Sequence, residues 1–146
     1  MALDFQVTFD CADADRLAEF WAIALDYEVQ PPPGGFATWS EFLEANGVPV
    51  PPQGSMSAVV DPAGRGPRVL FQRVPEPKTV KNRVHLDIRT GERRAEKVAE
   101  LLSAGATQVR QMADAGLEWV VMTDPEGTEF CIPCADRSGR GCGRGV

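Results

Sequence analysis

No apolar run in this chain approaches the ~20 residues that a membrane-spanning helix needs, and its opening Met1-Ala2-Leu3-Asp4-Phe5-Gln6 lacks the charged-then-apolar pattern of a signal peptide. Lysine and arginine form no dense block. With a formal charge of −6 and a pI near 4.8, the chain repels polyanions, so neither nucleic acid nor membrane is an expected partner. Cysteine is sparse, and the four present do not make a disulfide framework. Cys11 and Cys131 sit inside apolar strand-like runs, as buried free thiols do, and Cys134 and Cys142 lie in or beside the tail. Cys131-Ile132-Pro133-Cys134 has CxxC spacing, but a redox motif of that kind opens a helix, and here a Gly/Arg-rich stretch follows. A structural zinc site wants four ligands, and only one such pair exists. These absences make a cytoplasmic protein the expectation.

What is present is a weak copy of the chain within itself. Arg16-Leu17-Ala18-Glu19-Phe20 recurs as Lys97-Val98-Ala99-Glu100-Leu101 at an offset of 81, and Asp61-Pro62-Ala63-Gly64 recurs as Asp124-Pro125-Glu126-Gly127 at an offset of 63. Two modules of one design therefore fill the chain. The offsets differ by 18, so the first module carries about that many extra residues, in the Pro/Gly-flanked stretch from about 31 to 54. A length of 146 residues with 43% hydrophobic content suits one compact domain, which at this size buries roughly 70% of the surface of its unfolded chain.

Each module reads as strand, helix and then further strands. Phe5, Val7, Phe9 and Cys11 alternate with Gln6, Thr8 and Asp10, the period of a strand with one buried and one polar face. Asp13 can cap a helix whose apolar face is Leu17, Phe20, Trp21, Ala24 and Leu25. Strands near Tyr27–Pro31, Met56–Asp61 and Arg68–Val74 complete the first βαβββ unit. After the stiff connector Pro75-Glu76-Pro77-Lys78 the order restarts. A strand spans Arg83–Arg89, a helix runs from about Glu92 to Ala104 and closes at Gly105, and strands follow near Thr107–Gln111, Leu117–Thr123 and Thr128–Pro133. The fold class is α+β, with domain bounds 1–135, module one over 4–75, module two over 82–134, and a tail from 136 to 146 expected to be disordered.

In both module-opening strands the apolar set can cover a helix while the other set stays polar, so the second face of the sheet should be wet or line a cavity. Gln6, Thr8 and Asp10 share that face with their counterparts His85 and Asp87, and period two places Glu129 together with Cys131. In the insertion, Thr38 and Glu41 have capping-box spacing, which predicts a short helix over Trp39–Asn46 stopped at Gly47. Phe36, Trp39 and Phe42 put three aromatics around it, either closing the hydrophobic mouth of the fold or forming a lid over the pocket.

The strings Val7-Thr8-Phe9-Asp10-Cys11-Ala12-Asp13, Gly35-Phe36-Ala37-Thr38-Trp39, Phe71-Gln72-Arg73-Val74-Pro75-Glu76-Pro77-Lys78, Lys81-Asn82-Arg83-Val84-His85-Leu86-Asp87 and Asp124-Pro125-Glu126-Gly127-Thr128-Glu129-Phe130-Cys131 resemble the vicinal oxygen chelate superfamily. That superfamily includes glyoxalase I, extradiol dioxygenases, fosfomycin-inactivating enzymes and bleomycin-binding proteins, and the closest look is to small bacterial glyoxalase-like proteins. The resemblance implies two βαβββ modules in an open, curled mixed sheet with helices on its convex face, a divalent metal (Zn, Ni, Mn or Fe), and a homodimer. It puts metal ligands on Gln6, Gln72 and His85, with Glu129 or Cys131 as the fourth. In the glyoxalase pattern a glutamate stands seven residues after the Asp of the Asp-Pro-x-Gly turn, where this chain has Cys131.

Two function classes follow. One is a metal-dependent lyase or isomerase acting on a small oxygenated metabolite, with His85 and Glu129 as principal ligands or Glu129 as catalytic base. The other is a non-catalytic protein that binds or sequesters a small molecule, as bleomycin-resistance proteins do. Phe36, Trp39, Trp119 and Asp87 are the expected substrate-binding residues.

Overall fold

The computed structural model describes residues 1–134, so the expected disorder of 136–146 falls outside the described residues. These residues form two compact units, Met1–Ala22 with Asp26–Pro77, and Ile23–Leu25 with the chain from Lys78 onward.

In the first unit, β1 (Val7–Cys11) leads into α1 (Ala14–Leu25), then β2 (Glu28–Val29), α2 (Trp39–Ala45), β3 (Met56–Val60) and β4 (Val69–Arg73). The strands make one mixed sheet in the order β1-β4-β3-β2, with β1 and β4 parallel and the other pairs antiparallel. Asp13 caps α1 as its sequence position predicts: its Oδ1 accepts the Arg16 N–H at 3.1 Å. The alternation of β1 is real in space, because Phe9 lies against Trp21 with centroids 4.9 Å apart and against Phe71 at 5.5 Å. Trp21, Leu17, Val69 and Phe71 are fully buried and form the core of this unit. Thr8, Asp10 and Gln72 take the opposite parity, and Asp10 stands beside Gln72 in the β1–β4 register.

The second unit has α3 (Arg94–Ser103), entered through a single 3₁₀ turn at Gly91–Arg93, then β5 (Thr107–Asp114), β6 (Leu117–Thr123) and β7 (Glu129–Pro133) in an antiparallel sheet ordered β5-β6-β7. Leu101, Met122, Phe130 and Ile132 are fully buried here. Neither sheet closes on itself, and no helix among the described residues is long and apolar enough to cross a membrane.

One predicted element is much reduced. The strand expected over Arg83–Arg89 contracts to a single parallel bridge, Asp87 to Cys131, held by Cys131 N–H to Leu86 O at 2.9 Å and Ile88 N–H to Cys131 O at 2.8 Å. The alternation is present, but Val84 is 80% exposed. With no cover over the apolar side at that end, a longer ladder has little burial to stabilise it.

The repeated turns match in detail. Asp61 O and Asp124 O accept the N–H of Gly64 and Gly127, at 2.9 and 3.0 Å. Each Asp side chain also accepts from the N–H two residues on, Ala63 at 2.8 Å and Glu126 at 2.9 Å. Both glycines sit at positive φ, 65° and 87°, which explains why glycine occupies both copies.

Candidate functional site

The residues expected to hold a metal divide between the two units. Gln6, just before β1, and Gln72, in β4, lie in the first unit, and His85 and Glu129 in the second.

In the second unit the Asp87–Cys131 bridge brings three donors together. One ligand atom each from His85, Asp87 and Cys131 lies within 4.8 Å of the others. His85 Nδ1 stands 3.2 Å from Asp87 Oδ1, and both side chains are exposed, which leaves the imidazole and carboxylate accessible. Cys131 is a free, half-buried thiol. Burial pushes its pKa up, the Asp87 charge adds to the rise, and Lys81 and Arg110 act against it. An imidazole nitrogen, a carboxylate oxygen and a sulfur form a mixed donor set suited to a borderline divalent ion such as zinc.

Glu129, two residues before Cys131 in β7, keeps different company. Its carboxylate pairs with Lys78 Nζ at 3.1 Å and accepts the Asn82 N–H at 3.2 Å, while its carbonyl accepts Asn82 Nδ2 at 3.1 Å. Burial alone disfavours the charge, but its own backbone N–H, Lys78 and Asn82 together outweigh it and hold the carboxyl below the usual range. The connector and β7 are thereby fastened to each other.

In the first unit, Gln6 Oε1 accepts from Arg68 Nη1 at 2.6 Å, so the amide oxygen that would ligate a metal is already engaged. Gln72 donates through Nε2 to Asp10 Oδ1 at 2.8 Å, and its oxygen has no partner among the described residues. A cavity of about 680 Å³ opens in this same unit between α2 and the sheet. Trp39, Leu43, Val50 and Met56 supply apolar walls, with Gln30 and Arg68 as polar groups. The predicted insertion helix is there with its capping box complete: Thr38 Oγ1 accepts the Glu41 N–H, and Glu41 accepts the Thr38 N–H. Trp39 is oriented by its indole N–H donating to Gln30 O at 3.0 Å. Phe36 is not among the lining residues. It packs edge-on against Phe42, with centroids 5.4 Å apart. Trp119 lies in β6, opposite Met112 and Pro133, and belongs to the other unit.

Sequence reading missed Arg68 and Gln30. Arg68 meets Gln30 across 38 residues and Gln6 across 62, and no local pattern marks such a meeting. Asp87 beside His85, by contrast, is written in the period-two alternation.

A family model described as a glyoxalase-like domain matches residues 6–133. Solved structures with a similar fold include a glyoxalase/bleomycin resistance protein/dioxygenase family enzyme from Burkholderia phytofirmans PsJN, 16% identical with TM-score 0.58, covering 88% of this chain and 94% of that one. TioX from Micromonospora sp. ML1 is 17% identical with TM-score 0.55, covering 90% and 98%. The fosfomycin resistance protein FosX from Listeria monocytogenes, complexed with Mn(II) and sulfate, is 11% identical with TM-score 0.61, covering 96% and 98%. At these identities the likeness is one of fold. No curated protein sequence matches the chain.

Proposed function

Because the chain belongs to the glyoxalase-like domain family, we propose that it is a metal-dependent lyase or isomerase acting on a small oxygenated metabolite, as a single two-module domain assembled into a cytoplasmic homodimer. The observation that carries this reading is the convergence of His85, Asp87 and Cys131 within 4.8 Å.

The donor set fits a divalent ion. Three protein donors leave coordination positions open, the arrangement of catalytic rather than structural zinc sites. When bound, such an ion supplies Lewis-acid polarisation of a substrate oxygen. The residues themselves have separable tasks. His85 Nδ1 stands 3.2 Å from Asp87 Oδ1, so the two side chains would steady each other in presenting a nitrogen and an oxygen to the ion. Cys131 offers sulfur where the glyoxalase pattern has a glutamate. Gln6 and Gln72 lie in the first unit, where Gln6 is committed to Arg68 and Gln72 to Asp10.

The ion pair with Lys78 favours a structural task for Glu129. A general base works best with its pKa near the operating pH, and the hydrogen bonds to Glu129 move it away from that range. Asp87 is then the carboxylate that belongs to the donor cluster.

The test is elemental analysis of untagged protein purified without chelators, together with single substitutions. Near-stoichiometric metal that His85→Ala and Cys131→Ser remove, and Glu129→Ala retains, is the expected result. Metal-free protein that takes up no added zinc, nickel, manganese or iron would sink the reading. The apolar cavity beside Trp39 favours the second reading, a small-molecule binder without catalysis. Metal-free protein whose tryptophan fluorescence is quenched by ligand would support it. Light scattering on the purified protein tests the homodimer.

A further inference from the structure

The cavity beside α2 has largely apolar walls, yet it carries a guanidinium that makes no ion pair among the described residues. Val29, Trp39, Val50 and Met56 line it and are exposed, at 46%, 39%, 42% and 57%. Convergent exposed apolar groups of this kind mark a binding surface rather than ordinary scatter. The volume of about 680 Å³ is that of a small-molecule pocket.

Arg68 is half-buried and held by two neutral acceptors, Gln30 Oε1 on Nε at 2.7 Å and Gln6 Oε1 on Nη1 at 2.6 Å. Gln6 is fixed in turn by Thr8, whose hydroxyl accepts Gln6 Nε2 at 3.2 Å, and Gln30 by its N–H on Ala58 O at 2.8 Å. Amide oxygens orient a guanidinium without neutralising it. Among the described residues no carboxylate pairs with Arg68, and its Nη2 has no partner. Asp15, an acidic residue that also lines the cavity, accepts the Gly54 N–H on Oδ2 at 3.0 Å and makes no ion pair with Arg68.

We infer that this cavity binds a small amphiphilic anion: an aromatic or aliphatic body lies against Trp39, Leu43, Val50 and Met56, and a carboxylate or comparable anionic head is received by Arg68. A planar, pre-oriented guanidinium is the side chain best matched to a carboxylate. The net charge of −6 does not prevent this, since charges beyond about 8 Å are largely screened at physiological salt. The inference names the ligand class for the small-molecule reading and rests on it, but it needs no metal, because every group it uses lies in the first unit.

The test is calorimetric titration of the full chain, after dialysis against EDTA, with naphthalene-acetate and separately with its neutral amide. The acetate is expected to bind one per chain and the amide about tenfold more weakly, equivalent to about 1.4 kcal/mol. Arg68→Met should bring the two affinities together, and Trp39→Ala should weaken both by a similar factor. Ser40→Asp, at an exposed position lining the same cavity, leaves the Gln6–Arg68–Gln30 set untouched. It should lower acetate affinity and spare the amide, which keeps the test decisive if Arg68→Met does not fold. Equal affinities in the unaltered protein, no binding of either probe, or an acid preference that survives Arg68→Met would overturn the inference. Metal content is measured on separate, undialysed protein, so a failure of the metal reading and a failure of this one are told apart.

Discussion

Asp61 shows how much a single side chain can organise. Its two carboxylate oxygens accept three backbone N–H groups, from Ala63, Arg65 and Gly66, at 2.8 to 3.0 Å. The Ala63 bond leads in lowering its pKa, burial opposes it, and the Arg65 and Gly66 bonds and the Arg65 charge reinforce it. The carboxyl is therefore depressed in the folded state. Its contribution is present above the unfolded value near pH 4 and is lost as pH falls through the lower folded value. Asp61→Ala should accordingly flatten the acid limb of a curve of Tm against pH, and an unchanged limb would refute this. Gly66 beside it has no room for a methyl group, because a Cβ there would strike the Tyr27 hydroxyl. Gly66→Ala should cost about 1–3 kcal/mol, read as a Tm several degrees lower. Tyr27→Phe removes the struck atom, so the double variant should recover most of the loss.

Among the elements, α2 depends most on its ends. It spans seven residues and buries none, so tertiary packing contributes little to it. The capping box and the Asn46 carboxamide on Phe42 O at 2.7 Å do that work instead. Thr38→Ala should destabilise the helix by about 1 kcal/mol. Because Trp39 sits in the first turn, the change should also raise amide exchange across 42–46 and weaken ligand binding in the cavity, while global Tm moves little. Protection that stays unaltered would place the helix's stability elsewhere. The core of the first unit behaves oppositely: Trp21 is fully buried between Phe9 and Phe20, and Trp21→Ala should cost about 3–5 kcal/mol.

For the molecule as a whole, a ligand that binds only the folded state raises stability by mass action. Zinc at a hundredfold over its Kd should add about 2.7 kcal/mol, seen as a higher Tm in the unaltered protein and no rise in His85→Ala. Equal rises in both would place the ion away from His85.

Much of the fold was legible in the sequence because it is written in local signals. Period-two alternation marked β1 and β7, Asp13 and Thr38 marked two helix starts, and the paired Asp-Pro-x-Gly turns announced the repeated turn that both units display. The α+β class followed from these signals, and the glyoxalase-like family from the resemblance of longer sequence strings, which the family match over 6–133 bears out. Alternation tells which face a side chain takes, but not what it meets there. Glu129 and Cys131 share a face of β7, yet the roughly 6.6 Å between alternate residues of a strand puts one with Lys78 and Asn82 and the other with His85 and Asp87. The alternation over 83–89 was likewise correct, while the length of its ladder depended on burial that only the folded chain shows. Arg68 depended on it most. Its two amide partners come from distant segments, and that meeting exists only after β1, β2 and β4 have been laid into one sheet.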